Sequence, residues 1–297
     1  MAEKVIDARR HDLGQGFEVG RVLPYRTQRM VGPFIFLDHM GPVDMPSPIP
    51  GNRDVRPHPH IGLSTVTYLF EGQMTHRDSL GAHQAIEPGA LNWMTAGGGI
   101  THSERFDGMR RDGGRIEGVQ AWVALPAESE DGDPAFDHYG ADTLPTFEED
   151  GVKGRVIAGS AWGLASPAKT FSPLFYLHVD LAAGARVGVP EGHAERAVFV
   201  AGGEIEMAGR RYHDNQLIVL EKGTSREVRA VQPSRLMLLG GEPLGQRYIW
   251  WNLVSSRRER IVEAAADWKA GRMPLPVDDD GEFIPLPEIP FPPVDKP

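Results

Sequence analysis

Short runs of β-branched and aromatic residues, broken by Gly and Pro, recur along the whole chain. Leu63 to Phe70 (LSTVTYLF) is the clearest, and the pattern predicts a strand ending at Glu71-Gly72. Further strands are expected at Ala90 to Met94 after the Pro88-Gly89 turn, at Ile100 to Glu104 and at Glu117 to Leu125. Val31 to Leu37 is apolar and aromatic, and the Pro-rich stretch Pro42 to Pro50 reads as a loop. Past Glu128 to Pro134, which is polar and turn-rich, strands resume at Val152 to Ala158, Leu174 to Leu181, Ala197 to Val200, Leu217 to Leu220 and Leu236 to Leu239. Strands at this spacing predict an all-β protein built of sandwiches or barrels. One segment differs: Ser255 to Gly271 predicts a helix, its body at 256–270. Ser256 and Glu259 stand as a capping box, Ile261, Ala265 and Trp268 form the apolar stripe, and Gly271 ends it. Eight of the last 24 residues are Pro, so Pro274 to Pro297 must be extended. Phe283, Ile284, Leu286, Ile289 and Phe291 predict that this tail lies against the fold.

Composition sharpens this picture. The chain has 297 residues, 35 of them Gly and 25 Pro, about a fifth of the total against an ordinary share near 12%. That excludes a helical bundle. The length favours two domains, divided at the turn-rich stretch into residues 1–134 and 135–297. The net charge of −10 argues against direct nucleic-acid binding. No apolar run is long enough to span a membrane and the first residues do not form a signal peptide, so a cytoplasmic location is expected. There are no cysteines, which removes disulfides, thiolate metal sites and cysteine nucleophiles.

Six of the eleven histidines, His39, His58, His60, His76, His83 and His102, fall in one window. His58 and His60 are two apart, and in an extended segment both imidazoles face the same side. His102 and Glu104 repeat that spacing. On neighbouring strands the two pairs would converge into three imidazoles and a carboxylate, a set for one divalent first-row metal. Iron is the first expectation, with Ni, Cu, Mn, Co or Zn also accepted by such donors. The other histidines of the window read as structural: Asp38 and His39 as turn or pocket residues, His76 and His83 as flanks of a hairpin around Asp78-Ser79, with a supporting bond to a ligating ring as the alternative. The run Gly97-Gly98-Gly99 lacks the Lys-Ser/Thr of a phosphate loop and reads as a close-passing turn.

Arg56 to Gly72 (RPHPHIGLSTVTYLFEG), Pro88-Gly89 and Trp93 to Glu104 (WMTAGGGITHSE) resemble the pirin family of the cupin superfamily. Phe36 to Pro42 (FLDHMGP) and Gly240 to Gly245 (GGEPLG) extend the resemblance over almost the whole chain. It implies a bicupin: two stacked jelly-roll barrels, the N-terminal one holding metal on His58, His60, His102 and Glu104, and the C-terminal one, which offers only His193 and Glu195, holding none. Many cupins carry a Glu four or five residues after the second His of the first motif. Ser64 and Thr65 stand there, so Glu104 supplies the carboxylate. His178 and His213 read as ordinary surface or core residues.

The resemblance further implies an oxygenase of the quercetin 2,3-dioxygenase type, opening a flavonol-like ring or similar enol with O₂, with Glu104 as general base. Phe34, Phe36, Asp38, Trp93 and Met94 are the expected substrate pocket. The alternative is a non-catalytic, redox-sensing metal protein that acts through a protein partner. A monomer is expected in either case, because two barrels bury each other's faces.

Overall fold

The computed structural model describes residues 3–13 and 17–289, so Phe291 of the tail lies outside the described residues. Among them the chain is mostly β, with one α-helix, Arg258–Lys269. A seven-stranded antiparallel sheet runs, in spatial order, through Ala135–Tyr139, Leu91–Thr95, Leu63–Glu71, Gly114–Ala124, Phe34–Met45, Glu18–Leu23 and Arg9–Asp12. A four-stranded sheet, in the order Val55–His60, Ile100–Arg105, Met74–Asp78, His83–Ile86, packs against it. Met40, Leu69 and Ile116 of the large sheet meet Met74 and Ile86 of the small one in the core between them.

The second half repeats the plan with an eight-stranded and a four-stranded sheet. Its strands explain their near-continuous apolar runs by being buried on both faces. In Leu174–Leu181, Leu177 and Val179 point into the C-terminal core, while Tyr176 joins a separate core between the two large sheets. That shared core takes Leu37, Val66, Tyr68, Trp93, Val119 and Ala121 from the first half and Phe199, Leu217, Met237 and Leu239 from the second. By hydrogen bonding, none of the sheets closes on itself.

Two strands cross the 134/135 line drawn from composition. Ala135–Tyr139 pairs with Leu91–Thr95 in the first large sheet, and Lys4–Asp7 pairs with Gln216–Val219 in the second. The turn-rich stretch before residue 135 has another task, because buried Glu130 accepts hydrogen bonds from Ser255 Oγ, Ser256 Oγ and the Ser256 N–H, each 2.8 Å. This also corrects the expected capping box. Ser256 is held by Glu130, the helix starts one residue beyond Arg257, and no side chain caps it. Its buried stripe is Ile261, Ala264 and Trp268, with Ala265 partly covered, and Gly271 closes it at φ +68°.

A second correction concerns Pro42 to Pro50. The strand Phe34–Met45 runs straight through its first residues, pairing Val43 with Ile116 and Met45 with Gly114. Gly41 allows this: its φ is +76°, and a Cβ there would lie 2.2 Å from the Ile116 carbonyl oxygen.

Candidate metal centre

The strands Val55–His60 and Ile100–Arg105 are antiparallel neighbours, with His58 opposite His102 and His60 opposite Ile100. Strand alternation sends His58, His60 and His102 inward, and one ring nitrogen from each lies within 4.8 Å of the others. Ring centroids are 4.4 Å apart for His58 and His102 and 5.0 Å for each of the other two pairs. All three are buried. Among the described residues no second set of three or more His, Asp or Glu donors gathers in this way.

Backbone carbonyls fix two of the rings. His58 Nδ1 is 2.9 Å from the Arg56 oxygen and His60 Nδ1 is 2.9 Å from the Asn252 oxygen. A carbonyl only accepts, so each Nδ1 carries the proton and each Nε2 keeps its lone pair. His102 Nδ1 lies 3.3 Å from His76 Nδ1, and His102 Nε2 is buried with no hydrogen-bond partner. Burial pushes the His58 pKa down to about 4, against the upward pull of the Arg56 carbonyl. Burial also holds His60 and His102 well below the ordinary imidazole value, helped by the neighbouring rings. Three neutral imidazoles packed together, one with an orphaned buried nitrogen, form a donor set that fits a transition metal.

Glu104 does not join the three rings. A bulge between His102 and Glu104 sets Glu104 opposite Val55, where an unbroken ladder would set it opposite Arg56. Its carboxylate instead accepts a 3.0 Å hydrogen bond from Gln120 Nε2, and Gln120 Oε1 in turn accepts from Thr67 Oγ1 at 2.6 Å. Burial pushes the Glu104 pKa up to about 7, with the Gln120 N–H pulling the other way.

A cavity of about 460 Å³ opens between the two N-terminal sheets, and His58, His60, Glu104 and Gln120 line it. Of the expected pocket residues it includes Phe36 and Asp38. Asp38 is tied to Arg21 by two 2.8 Å bonds, and Phe36 stacks on Trp122 at 4.0 Å, which meets the His60 ring edge-on at 5.1 Å. Phe34, Trp93 and Met94 lie elsewhere. Phe34 and Trp93 belong to the core between the large sheets, because a bulge at the Phe34–Phe36 step reverses the facing of Phe34 and Trp93 alternates to that side. Met94 packs with Ala96, Ile100 and Phe136.

His39 faces the second half, and His178, which belongs to that half, faces the first. His39 Nδ1 lies 3.0 Å from Asn215 Oδ1, and His178 Nδ1 lies 2.9 Å from the Tyr68 hydroxyl. Glu195 accepts from the Gly32 N–H, which turns it toward the domain junction. Gln120, Thr67, Trp122 and Asn252 were not foreseen. For Gln120 there was a signal: it sits between Val119 and Ala121, whose side chains face the shared core, so alternation places a polar residue on the buried opposite face.

Family profiles match this chain in both halves, pirin over residues 16–123 and the pirin C-terminal cupin domain over residues 176–274. The chain belongs to the pirin family. A pirin-like protein of Caulobacter vibrioides is 56% identical over 289 residues, spanning 97% of this chain and all of that protein. The crystal structure of a quercetin 2,3-dioxygenase from Acinetobacter baumannii superposes on this pirin with a TM-score of 0.89 at 33% identity, covering 97% of this chain and 96% of that one. The fold is shared with the Escherichia coli pirin YhhW, solved with nickel(II), at a TM-score of 0.63 and 16% identity over 82% of this chain and all of that one.

Proposed function

We propose that this pirin is a metal-dependent oxygenase of the quercetin 2,3-dioxygenase type, acting on a flavonol or similar enol with O₂. The observation that carries the reading is the placement of three neutral imidazoles beside a cavity of about 460 Å³, with aromatic residues in its wall. Such a volume falls in the range of small-molecule sites. The likeness to the Acinetobacter baumannii quercetin 2,3-dioxygenase supports the choice of chemistry. In this reading the two halves are cupin barrels and the metal belongs to the first. His58, His60 and His102 would hold it, with Glu104 as the carboxylate of the set. A bound transition metal, iron first, would supply Lewis-acid activation of the enol and a redox-competent centre for O₂.

The chain's own residues do the rest. Phe36 and Trp122 form a flat apolar wall, and Arg21, paired with Asp38 and lying 4.4 Å over the Phe36 ring, holds that wall in place. Glu104 stands in the same cavity with one oxygen on Gln120, so its carboxylate is the base available to take the enol proton. A carboxylate only accepts, which keeps the Gln120 amide N–H on Glu104, while the Gln120 carbonyl accepts from the Thr67 hydroxyl.

The test is O₂ uptake and carbon monoxide release with quercetin by metal-loaded protein. Glu104→Gln is expected to lower turnover by about 10²-fold or more while metal content changes far less. Equal losses of metal and turnover would remove the base role. Bound metal without turnover of any flavonol would overturn the oxygenase reading in favour of a metal-binding protein.

A further inference from the structure

Behind His102, away from the cavity, the neighbouring strand Met74–Asp78 places His76 and Asp78 two residues apart and on one face. His76 Nδ1 is the atom 3.3 Å from His102 Nδ1, and His76 Nε2 is 2.9 Å from Asp78 Oδ2. The other Asp78 oxygen accepts the N–H groups of Leu80 and Ala82, at 2.9 and 3.0 Å, so the hairpin turn fixes the carboxylate. Phe136 stacks on the His76 ring at 4.3 Å and 13°, which fixes its plane. His76, Asp78 and His102 are all buried.

We infer that Asp78 and His76 form a proton-ordering chain that sets the tautomer of His102 and thereby makes its Nε2 a metal donor. Each step follows from donor and acceptor chemistry. The Asp78 carboxylate has no proton to give, so His76 Nε2 carries the hydrogen. With its single ring proton on Nε2, His76 has a bare Nδ1, which accepts from His102 Nδ1–H at 3.3 Å. The His102 proton is thus held outward and its Nε2 lone pair faces His58 and His60. The carbonyls of Arg56 and Asn252 do the same for the other two rings through single contacts. His102 reaches its anchor through a second imidazole, so a change two residues removed from the donor atom should invert it. His76 and Asp78 are positioning residues, since neither lines the cavity.

The inference rests on the metal reading, and the test separates the two. In Asp78→Asn the amide oxygen keeps the Leu80 and Ala82 bonds while its NH₂ faces His76 Nε2. His76 must then carry its hydrogen on Nδ1, His102 Nδ1 must accept, and the His102 hydrogen moves to Nε2. Nitrogen NMR of the histidine rings in metal-free protein should show His102 Nε2 unprotonated in the wild type and protonated in Asp78→Asn. Titration with nickel(II) alone should weaken by about 10–100-fold in Asp78→Asn and in His76→Leu. His76→Gln, which offers an oxygen to His102 and an N–H to Asp78, should recover most of that loss, an outcome a merely structural role would not give. An unprotonated His102 Nε2 in Asp78→Asn, with wild-type nickel affinity, would overturn the inference. Failure of the wild-type chain to bind nickel would overturn the metal reading instead, and the tautomer measurement would still decide the proton chain.

Discussion

In the strand Phe34–Met45, Phe36 pairs with Trp122 while Phe34 pairs with Val123, so Ile35 is an extra residue on its strand. That one insertion sends Phe34 into the core against Tyr176, with ring centroids 5.2 Å apart, and leaves Phe36 in the cavity wall. Phe34→Ala is accordingly expected to cost about 3–5 kcal/mol in denaturant unfolding without changing nickel affinity. Phe36→Leu should instead raise the flavonol KM about tenfold, the scale of one altered apolar contact. A KM change of equal size in both variants would contradict this division. The three imidazole positions were legible because their spacing is a property of extended chain. The bulges at Ile35 and beside Glu104 were not, since each depends on how one strand registers against another. Alternation alone therefore placed Phe34 in the pocket.

At the scale of elements, the Pro-rich tail carries information that its composition only half disclosed. Among its described apolar residues, Leu286 packs partly buried against the helix core and Ile284 lines the cavity, while Phe283, edge-on to Trp268, and Ile289, at the cavity wall, stay exposed. The anchor, however, is polar. Ser103 and Arg105 face outward from the strand that turns His102 inward, and both bond Asp279, Ser103 at 2.6 Å and Arg105 at 2.7 and 2.6 Å. Burial pushes the Asp279 carboxyl up, but the bonds from Arg105 and Ser103 outweigh it and hold its pKa below the ordinary value. A depressed carboxyl contributes stability above its unfolded pKa, near 3.9, and loses it as pH falls through the folded one. The tail should therefore stay docked at neutral pH and loosen only in acid below about pH 4. Fluorescence of Trp268, whose Nε1 donates to the Ile284 carbonyl, would report it. Asp279→Ala should loosen the tail at every pH, and an unchanged profile in that variant would refute the anchor. Ion pairs between residues this far apart in sequence leave no periodic trace, which is why the tail's partners could not be read beforehand.

For the whole molecule, the shared core and the exchange of edge strands tie the halves together. Ile6 from the first strand is buried in the same cluster as Tyr176 and Leu239, and Asn252, near the end of the second half, orients His60 in the first. Unfolding should thus be one cooperative transition, and two well-separated calorimetric peaks would contradict it. The centre itself is the claim on which the rest depends. X-ray absorption of nickel-loaded protein, with metal counted per chain, tests it most directly. One metal per chain with three imidazoles around it is expected, and less than a tenth of that content in His58→Ala or His102→Ala. Stoichiometric metal retained in His102→Ala would contradict it.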